Sequence, residues 1–113
     1  MNYTAVYNIY GTVPAVKDHK LTLEPGHKVP SWLNGEYYIN GAGQFEWGDE
    51  EYMGWMDGAG TISRLTINNG EELSFDRKYI ECNAYKQNSE AGEIVITEPS
   101  TYGEPKDLGR YSF

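Results

Sequence analysis

The sequence predicts an all-β domain built as an antiparallel meander of four to six strands. Segments rich in β-branched and aromatic residues alternate with polar residues, and turn-forming residues separate these segments. No stretch has a convincing helical period of apolar residues. The clearest element is a hairpin, in which residues 61–67 and 72–80 alternate in polarity and Asn68-Asn69-Gly70 joins them.

Weaker strand signals lie on both sides of this hairpin. Residues 2–10 alternate loosely, and residues 35–40 suit a pleated surface until Gly41-Ala42-Gly43 breaks the pattern. After the hairpin, residues 83–86 are a third strand candidate. Residues 93–97 are a fourth, which is apolar enough to be buried on both faces.

Proline and glycine divide the chain. Residues 15–31 contain Pro25, Gly26 and Pro30, and this predicts an extended arm rather than a helix. The chain is therefore predicted to have an N-terminal strand and arm at residues 1–28 and a β domain at residues 29–113. Its 113 residues suffice for a single domain overall.

Charge and cysteine content exclude several classes of function. The formal net charge of −8 would repel phosphate backbones, which argues against nucleic acid and anionic membrane surfaces as partners. Cys82 is the only cysteine, so no internal disulfide forms and a packed core thiol is expected. Residues 1–13 do not have the pattern of a signal peptide, no run reaches the length of a membrane span, and the default location is cytoplasmic.

Neither a catalytic nor a metal site is predicted. His19 and His27 are eight residues apart in a polar segment, which matches no metal-binding spacing and predicts two exposed histidines. The four carboxylates between residues 46 and 51 lack the Asp/Asn pattern and central glycine of a calcium loop, so a solvated acidic loop is expected. No nucleophile lies in a recognisable pair with a base.

Residues 32–64 are dense in large flat side chains and glycines, and they hold all three tryptophans. Aromatic rings and methionine adapt well to a rod-like hydrocarbon, so this stretch supplies the candidate ligand-binding residues. The alternative is that these residues form an ordinary core and an oligomer interface. The candidates, which could line an elongated apolar groove, are Trp32, Tyr37, Tyr38, Phe45, Trp47, Trp55 and Met56.

A series of short motifs follows in a fixed order: VPSWLNG from Val29, NGAG from Asn40 with Phe45-Glu46 after it, WMDGAGTI from Trp55, FDRKYI from Phe75, Ala84-Tyr85, and EIVITE from Glu93. In this order and spacing, residues 29–98 resemble the N-terminal region of the carotenoid cleavage oxygenase family, which includes the retinoid isomerohydrolase of the eye. The resemblance covers about the first fifth of such a protein.

That family resemblance implies a seven-bladed β-propeller that holds iron on four histidines and cleaves or isomerises carotenoids. This chain would supply one to two blades. The histidines that bind iron in the family lie in later blades, and nothing here matches them. Three positions depart from the family pattern: Ile39 stands for an arginine, Ala42 for a proline and Ser63 for a histidine. The resemblance therefore leans against enzymatic activity of this chain alone.

Three functions remain open. The first is a non-catalytic binding protein for a carotenoid or a similar long apolar polyene, with no covalent cofactor. The second is an N-terminal fragment of an iron-dependent carotenoid cleavage oxygenase, and the third is a structural, self-assembling β-protein. Because a lone blade leaves sheet edges and an apolar face uncovered, homo-oligomerisation or assembly with related chains is expected. The alternative is that the chain closes on itself through its N-terminal strand, with residues 1–28 serving that closure.

Overall fold

A computed structural model describes residues 11–98 of the chain. Within that range, six strands and one helix follow in order: β1 (Val16–Leu21), β2 (Gly35–Gln44), β3 (Glu46–Trp47), β4 (Glu50–Glu51), β5 (Ala59–Asn68), β6 (Glu72–Tyr79) and α1 (Asn83–Ala91). The predicted strand at residues 2–10 lies outside the described residues. The mostly antiparallel strands confirm the all-β class, although the helix was not expected.

Four of the strands form one sheet with the order β1-β6-β5-β2. The predicted hairpin is confirmed as β5 and β6, whose turn is closed by a hydrogen bond of 3.1 Å from Glu71 N to Asn68 O. Asn69 and Gly70 take φ values of 51° and 68°, the left-handed conformation that such a tight turn requires. β1 pairs antiparallel with β6, with Leu21 opposite Leu73.

The break predicted at Gly41-Ala42-Gly43 was wrong, because β2 continues through these residues to Gln44. Glycine permits a turn without forcing one, and neither Gly41 nor Gly43 has a positive φ. The carbonyl of Gly41 accepts a hydrogen bond of 3.1 Å from the hydroxyl of Thr61, so the extended backbone is held in place.

Two further predictions were wrong, because α1 covers residues 83–91. They are the strand at residues 83–86 and the expectation that the chain has no helix. The segment contains several good helix formers, and Gly92 ends it at φ 70° with its N–H bonded to Asn88 O at 2.9 Å. Only Ala84 and Asn88 are buried on this helix. Because the buried face is this narrow and one of its two residues is polar, the sequence shows no strong helical period of apolar residues.

Residues 93–97 do not form the predicted strand, although Ile94 and Ile96 are buried as expected. The side-chain oxygen of Asn88 accepts hydrogen bonds from Val95 N at 2.9 Å and Ile96 N at 3.0 Å. A helix side chain therefore satisfies backbone donors that a neighbouring strand would otherwise satisfy.

Two predicted irregular segments contain short strands. The arm at residues 15–31 includes β1, while Pro25 and Pro30 lie outside that strand. The acidic loop contains a small hairpin in which β3 pairs antiparallel with β4, with Gly48 at φ 62° in its turn. The prediction of a solvated acidic loop was therefore wrong about the secondary structure and correct about exposure to solvent, since Glu46, Asp49 and Glu51 are exposed.

The described chain forms two compact units. The sheet unit comprises residues 14–41 and 61–78, and the cluster unit comprises residues 11–13, 42–60 and 79–98. A hydrophobic core lies in the cluster unit and consists of Phe45, Trp47, Tyr52, Ala59 and Ile94, with Tyr79 and Tyr85 packed against it. No helix between residues 11 and 98 has the length and apolarity to cross a bilayer.

Candidate functional site

Trp47 is the centre of the aromatic core in the cluster unit. Its ring meets that of Tyr52 edge-on with centroids 5.3 Å apart, and that of Tyr85 edge-on at 6.4 Å. Tyr85 in turn stacks on Tyr79 at 5.0 Å. Edge-to-face and stacked pairs stabilise a core beyond the area they bury. Phe45 and Trp47, two of the seven predicted ligand-binding residues, are each only 4% exposed and belong to this core.

Buried hydrogen bonds of the Asn88 side chain connect this core to the helix. Asn88 is fully buried, and its amide nitrogen donates to the Tyr52 hydroxyl at 2.7 Å. That hydroxyl donates to the carbonyl of Ile96 at 2.8 Å. Burial raises the pKa of Tyr52 to about 12, so the phenol stays protonated and keeps its donor at neutral pH. Sequence reasoning missed Asn88, which has no apolar signal to mark it as buried.

The loop that follows β4 presents apolar side chains to solvent from a fixed base. Tyr52 and Asp57 are buried at its two ends, and Asp57 N bonds to Gly54 O at 3.0 Å. Between these anchors, Met53, Trp55 and Met56 are 74%, 68% and 73% exposed. We call these three residues the apolar tip. Large apolar side chains held outward in a cluster are typical of binding surfaces.

A small cavity of about 110 Å³ lies within the cluster unit, lined by residues that include Met56, Asp57, Tyr85 and Glu98. Burial, reinforced by the charge of Asp57, raises the pKa of Glu98. Sites for drug-sized ligands have volumes of roughly 300–1,000 Å³, so this cavity is too small to enclose a long polyene. Such a ligand would have to lie on the surface of the unit.

The sheet unit holds the other three predicted ligand-binding residues. Trp32, Tyr37 and Tyr38 are 79%, 62% and 55% exposed. A depression of about 190 Å³ beside Tyr38 is also lined by Ile62, Arg64, Asp76 and Lys78, and most of its surface is apolar despite the three charged groups. Its volume is below the roughly 300–1,000 Å³ of sites for drug-sized ligands, so it cannot enclose a long polyene.

Arg64 links three strands of the sheet unit across this depression. Its guanidinium donates to Asp76 Oδ2 at 2.8 Å and to Glu36 Oε1 at 3.2 Å. Asp76 also accepts a hydrogen bond of 2.8 Å from the backbone N–H of Asp18. That backbone bond, with the Arg64 bonds beside it, lowers the pKa of Asp76. The carboxylates of Asp76 and Glu36 are thus bonded to a guanidinium that links the strands of the sheet unit.

The seven predicted residues therefore fall into three groups. Phe45 and Trp47 pack together in the core of the cluster unit, Trp55 and Met56 belong to the apolar tip of the same unit, and the remaining three lie exposed in the sheet unit. Met53 completes the tip and was absent from the predicted set. Its position two residues before Trp55 in the same glycine-rich loop was the available signal.

His19 and His27 are exposed, as predicted. Cys82 is exposed as well, and the prediction of a packed core thiol was wrong. It occupies the position before α1, where its carbonyl accepts the N–H of Lys86 at 3.1 Å and its side chain makes no capping bond. Among residues 11–98 no three His, Cys, Asp or Glu side chains are grouped to hold a metal ion. These residues do not fit an iron site of four histidines.

Comparison with known proteins places this arrangement in a family. The model of the RPE65 family, described as retinal pigment epithelial membrane protein, matches residues 13–111. The chain belongs to this family. The resemblance proposed from the sequence motifs is thereby confirmed.

Relatives in this family are named as carotenoid-cleaving enzymes. The chain is 34% identical to human beta,beta-carotene 15,15'-dioxygenase over 94 residues, which cover 79% of this chain and 17% of the relative. It is 36% identical to the chicken enzyme of the same name over 78 residues, covering 69% of this chain and 15% of that one. The chain thus spans less than a fifth of the length of these relatives.

Solved structures show the same fold. A crystal structure of a D477G chimera of ACO and RPE65 matches with a TM-score of 0.72 at 24% identity, covering 81% of this chain and 19% of that one. A Glu150Gln mutant of Synechocystis apocarotenoid oxygenase matches with a TM-score of 0.71 at 23% identity, over 80% and 19% of the respective chains. The sheet of this chain therefore corresponds to a segment of a β-propeller oxygenase.

Proposed function

We propose that this chain is a non-catalytic binding protein for a carotenoid or a similar long apolar polyene, and that the apolar tip contacts the ligand. The observation that carries the proposal is the tip itself, three exposed apolar side chains on a loop anchored at both ends. Family membership supports a carotenoid as the ligand class, because relatives are named as carotene dioxygenases.

The chemistry of the tip suits a rigid hydrocarbon. The indole of Trp55 offers a flat apolar face, while Met53 and Met56 are flexible and polarizable and can follow an irregular contour. The buried anchors Tyr52 and Asp57 limit the movement of the loop, so less ordering is needed when a ligand binds. Phe45 and Trp47 support this arrangement from the core.

The chain supplies no chemistry of its own in this proposal. The described residues do not fit the four-histidine iron site of the family. In this proposal the residues of the chain bind and orient the ligand, and they break none of its bonds.

A titration with β-carotene in detergent micelles, followed by tryptophan quenching and visible absorption, tests the proposal. Trp55→Ala removes a ring whose burial against a ligand is worth about 1.5–3 kcal/mol, so affinity should fall by roughly 10- to 100-fold. Trp32→Ala is the matched control, since Trp32 is a tryptophan of the sheet unit that is 79% exposed, against 68% for Trp55. Its affinity should stay within about twofold of the wild type.

Unchanged affinity in Trp55→Ala would refute the role of the tip. Equal loss of affinity and of folding stability in that variant would instead assign Trp55 to the structure of the loop. The free energy of unfolding is therefore measured on each variant alongside the titration.

A second candidate is a segment of an iron-dependent carotenoid cleavage oxygenase, favoured by the identities of 34–36% to named dioxygenases. In that case the iron and its histidines would come from sequence beyond this chain. Under this candidate the chain alone neither retains iron nor cleaves β-carotene, and both properties are gained only when it is joined to the sequence that supplies the histidines. β-Carotene bound by the chain alone, without iron, would favour the binding protein.

A further inference from the structure

The two end strands of the four-stranded sheet differ in how they are protected from pairing with another chain. β1 ends the sheet on one side with Lys17, Asp18, His19 and Lys20, all exposed. Its register shifts between Val16 and His19, where Asp18 has a φ of 47°. Charged side chains and bulges are the features by which natural sheets prevent edge-to-edge association.

Among residues 11–98, β2 ends the sheet on the other side and carries less of this protection. Near its carboxyl end the Gly43 carbonyl accepts a hydrogen bond of 2.7 Å from Val13 N, while the residues before it are open. Its ten residues, GEYYINGAGQ, include one charged side chain and no proline. Residues 35–42 are all exposed. Tyr37, Tyr38 and Ile39 are consecutive and 62%, 55% and 54% exposed, so both faces of the strand are open, because successive side chains point to opposite faces. A long, apolar, exposed end strand is a template for pairing.

The one charge on β2 is already compensated within the sheet unit. Glu36 accepts a hydrogen bond from Arg64 Nη1 at 3.2 Å and another from the Tyr38 hydroxyl at 2.6 Å. Copies of a chain with a net charge of −8 repel each other in general. β2 is a surface on which that repulsion is locally relieved.

We propose that β2 pairs antiparallel with β2 of a second copy of this chain across a two-fold axis. A register centred on Tyr38 places Tyr37 opposite Ile39 and Glu36 opposite Asn40, each pair occurring twice. Aromatic and β-branched residues form favourable cross-strand pairs, and in this register no like charges face each other. The two-fold arrangement uses the same surface on both copies and closes the assembly as a dimer.

This pairing does not depend on a polyene, because the apolar tip takes no part in it. Sedimentation velocity over a range of concentrations therefore tests it on the ligand-free chain. Ile39→Lys introduces a cation on the pairing strand and should raise the dimer dissociation constant by about tenfold or more. Ile80→Lys makes the same change at an isoleucine of similar exposure, 45%, outside β2 in the sequence, and should leave the dimer intact.

A wild-type chain that stays monomeric at all concentrations would overturn the proposal, as would equal dissociation constants for the two lysine variants. Tyr38→Cys in a Cys82→Ser background tests the register even if a lysine variant misfolds. The proposed axis brings the two introduced thiols together, so mild oxidation should give a covalent dimer. Ile80→Cys in the same background is the control, and equal crosslinking of both would contradict the register.

Discussion

Residues 32–64 carry aromatic side chains into both compact units, and the two units use them differently. In the cluster unit, Trp47 and Tyr52 are each 4% exposed and pack edge-on against each other. In the sheet unit, Trp32 and Tyr37 are 79% and 62% exposed. Aromatic density in a sequence therefore does not say whether the rings form a core or a surface. What decides is whether other elements of the same unit cover them.

The difference lies in what each unit packs against its aromatic residues. The cluster unit contains α1, whose Asn88 bonds to Tyr52 and to the backbone of residues 95 and 96. In the sheet unit, polar contacts between strands take a larger part, with Arg64 bonded to Asp76 and Glu36. The following predictions test this division.

The largest effect is expected from Trp47→Ala. Truncating a buried tryptophan leaves a cavity and removes two edge-on ring contacts, so the free energy of unfolding should fall by about 3–5 kcal/mol. Trp32→Ala, which removes an exposed ring, should change it by less than about 0.5 kcal/mol. Urea unfolding of both variants measures the contrast. Similar losses in the two would contradict the division between core and surface.

Asn88→Ala should cause the next largest loss of stability. It leaves Tyr52 without one partner and the N–H groups of Val95 and Ile96 without acceptors in a buried setting. Buried unsatisfied groups cost about 1–3 kcal/mol, so a loss of roughly 2–3 kcal/mol in unfolding free energy is expected. Gln87→Ala changes an adjacent, less buried amide of the same helix, which bonds to Asn83 one turn earlier, and should cost less than about 0.5 kcal/mol. Equal losses of unfolding free energy in the two variants would contradict this role of the Asn88 hydrogen bonds.

Gly70→Ala addresses the turn that joins β5 and β6 in the sheet unit. Gly70 has a φ of 68°, and an added Cβ would lie 3.0 Å from the carbonyl oxygen of Val29. A loss of about 1–2 kcal/mol is expected from the left-handed conformation. Gly41→Ala is the matched control, because its φ is ordinary and its Cβ would meet nothing within 4 Å. A thermal melt in which both variants match the wild type would refute the conformational argument.

Asp76→Asn should change the pH dependence of stability. The pKa of Asp76 is lowered in the folded chain from its ordinary 3.8, so its carboxylate stabilises the fold above that pH. That contribution is lost as the pH falls from about 5 through the folded pKa. The variant should be less stable at pH 7 and should lose less stability on acidification, as measured by urea unfolding between pH 7 and pH 3. Parallel pH profiles would contradict the proposed role of the carboxylate.

Sequence reasoning succeeded where structure is determined locally. The Asn68-Asn69-Gly70 turn was predictable because its left-handed conformation is encoded in those residues alone. The helix was not, because its buried face consists of Ala84 and Asn88, and Asn88 is stabilised by partners 36 and 8 residues away. Cys82, which lies directly before that helix, is exposed, and this was not predicted either.

The same distinction applies to the candidate site. Trp55 and Met56 could be named from composition, but separating them from Phe45 and Trp47 required knowing which side chains the core covers. Met53 was missed because its exposure depends on the anchoring of Tyr52 and Asp57. The family, in contrast, was recognisable from ordered motifs, since these depend only on the sequence.

The proposed role of the apolar tip is to bind a polyene without any iron held by this chain. The most direct test is visible circular dichroism of the chain after equilibration with β-carotene and removal of excess pigment, with iron assayed on the same sample. An induced band within the carotenoid absorption and no stoichiometric iron are expected. Pigment that separates completely from the protein, with no induced band, would contradict this role.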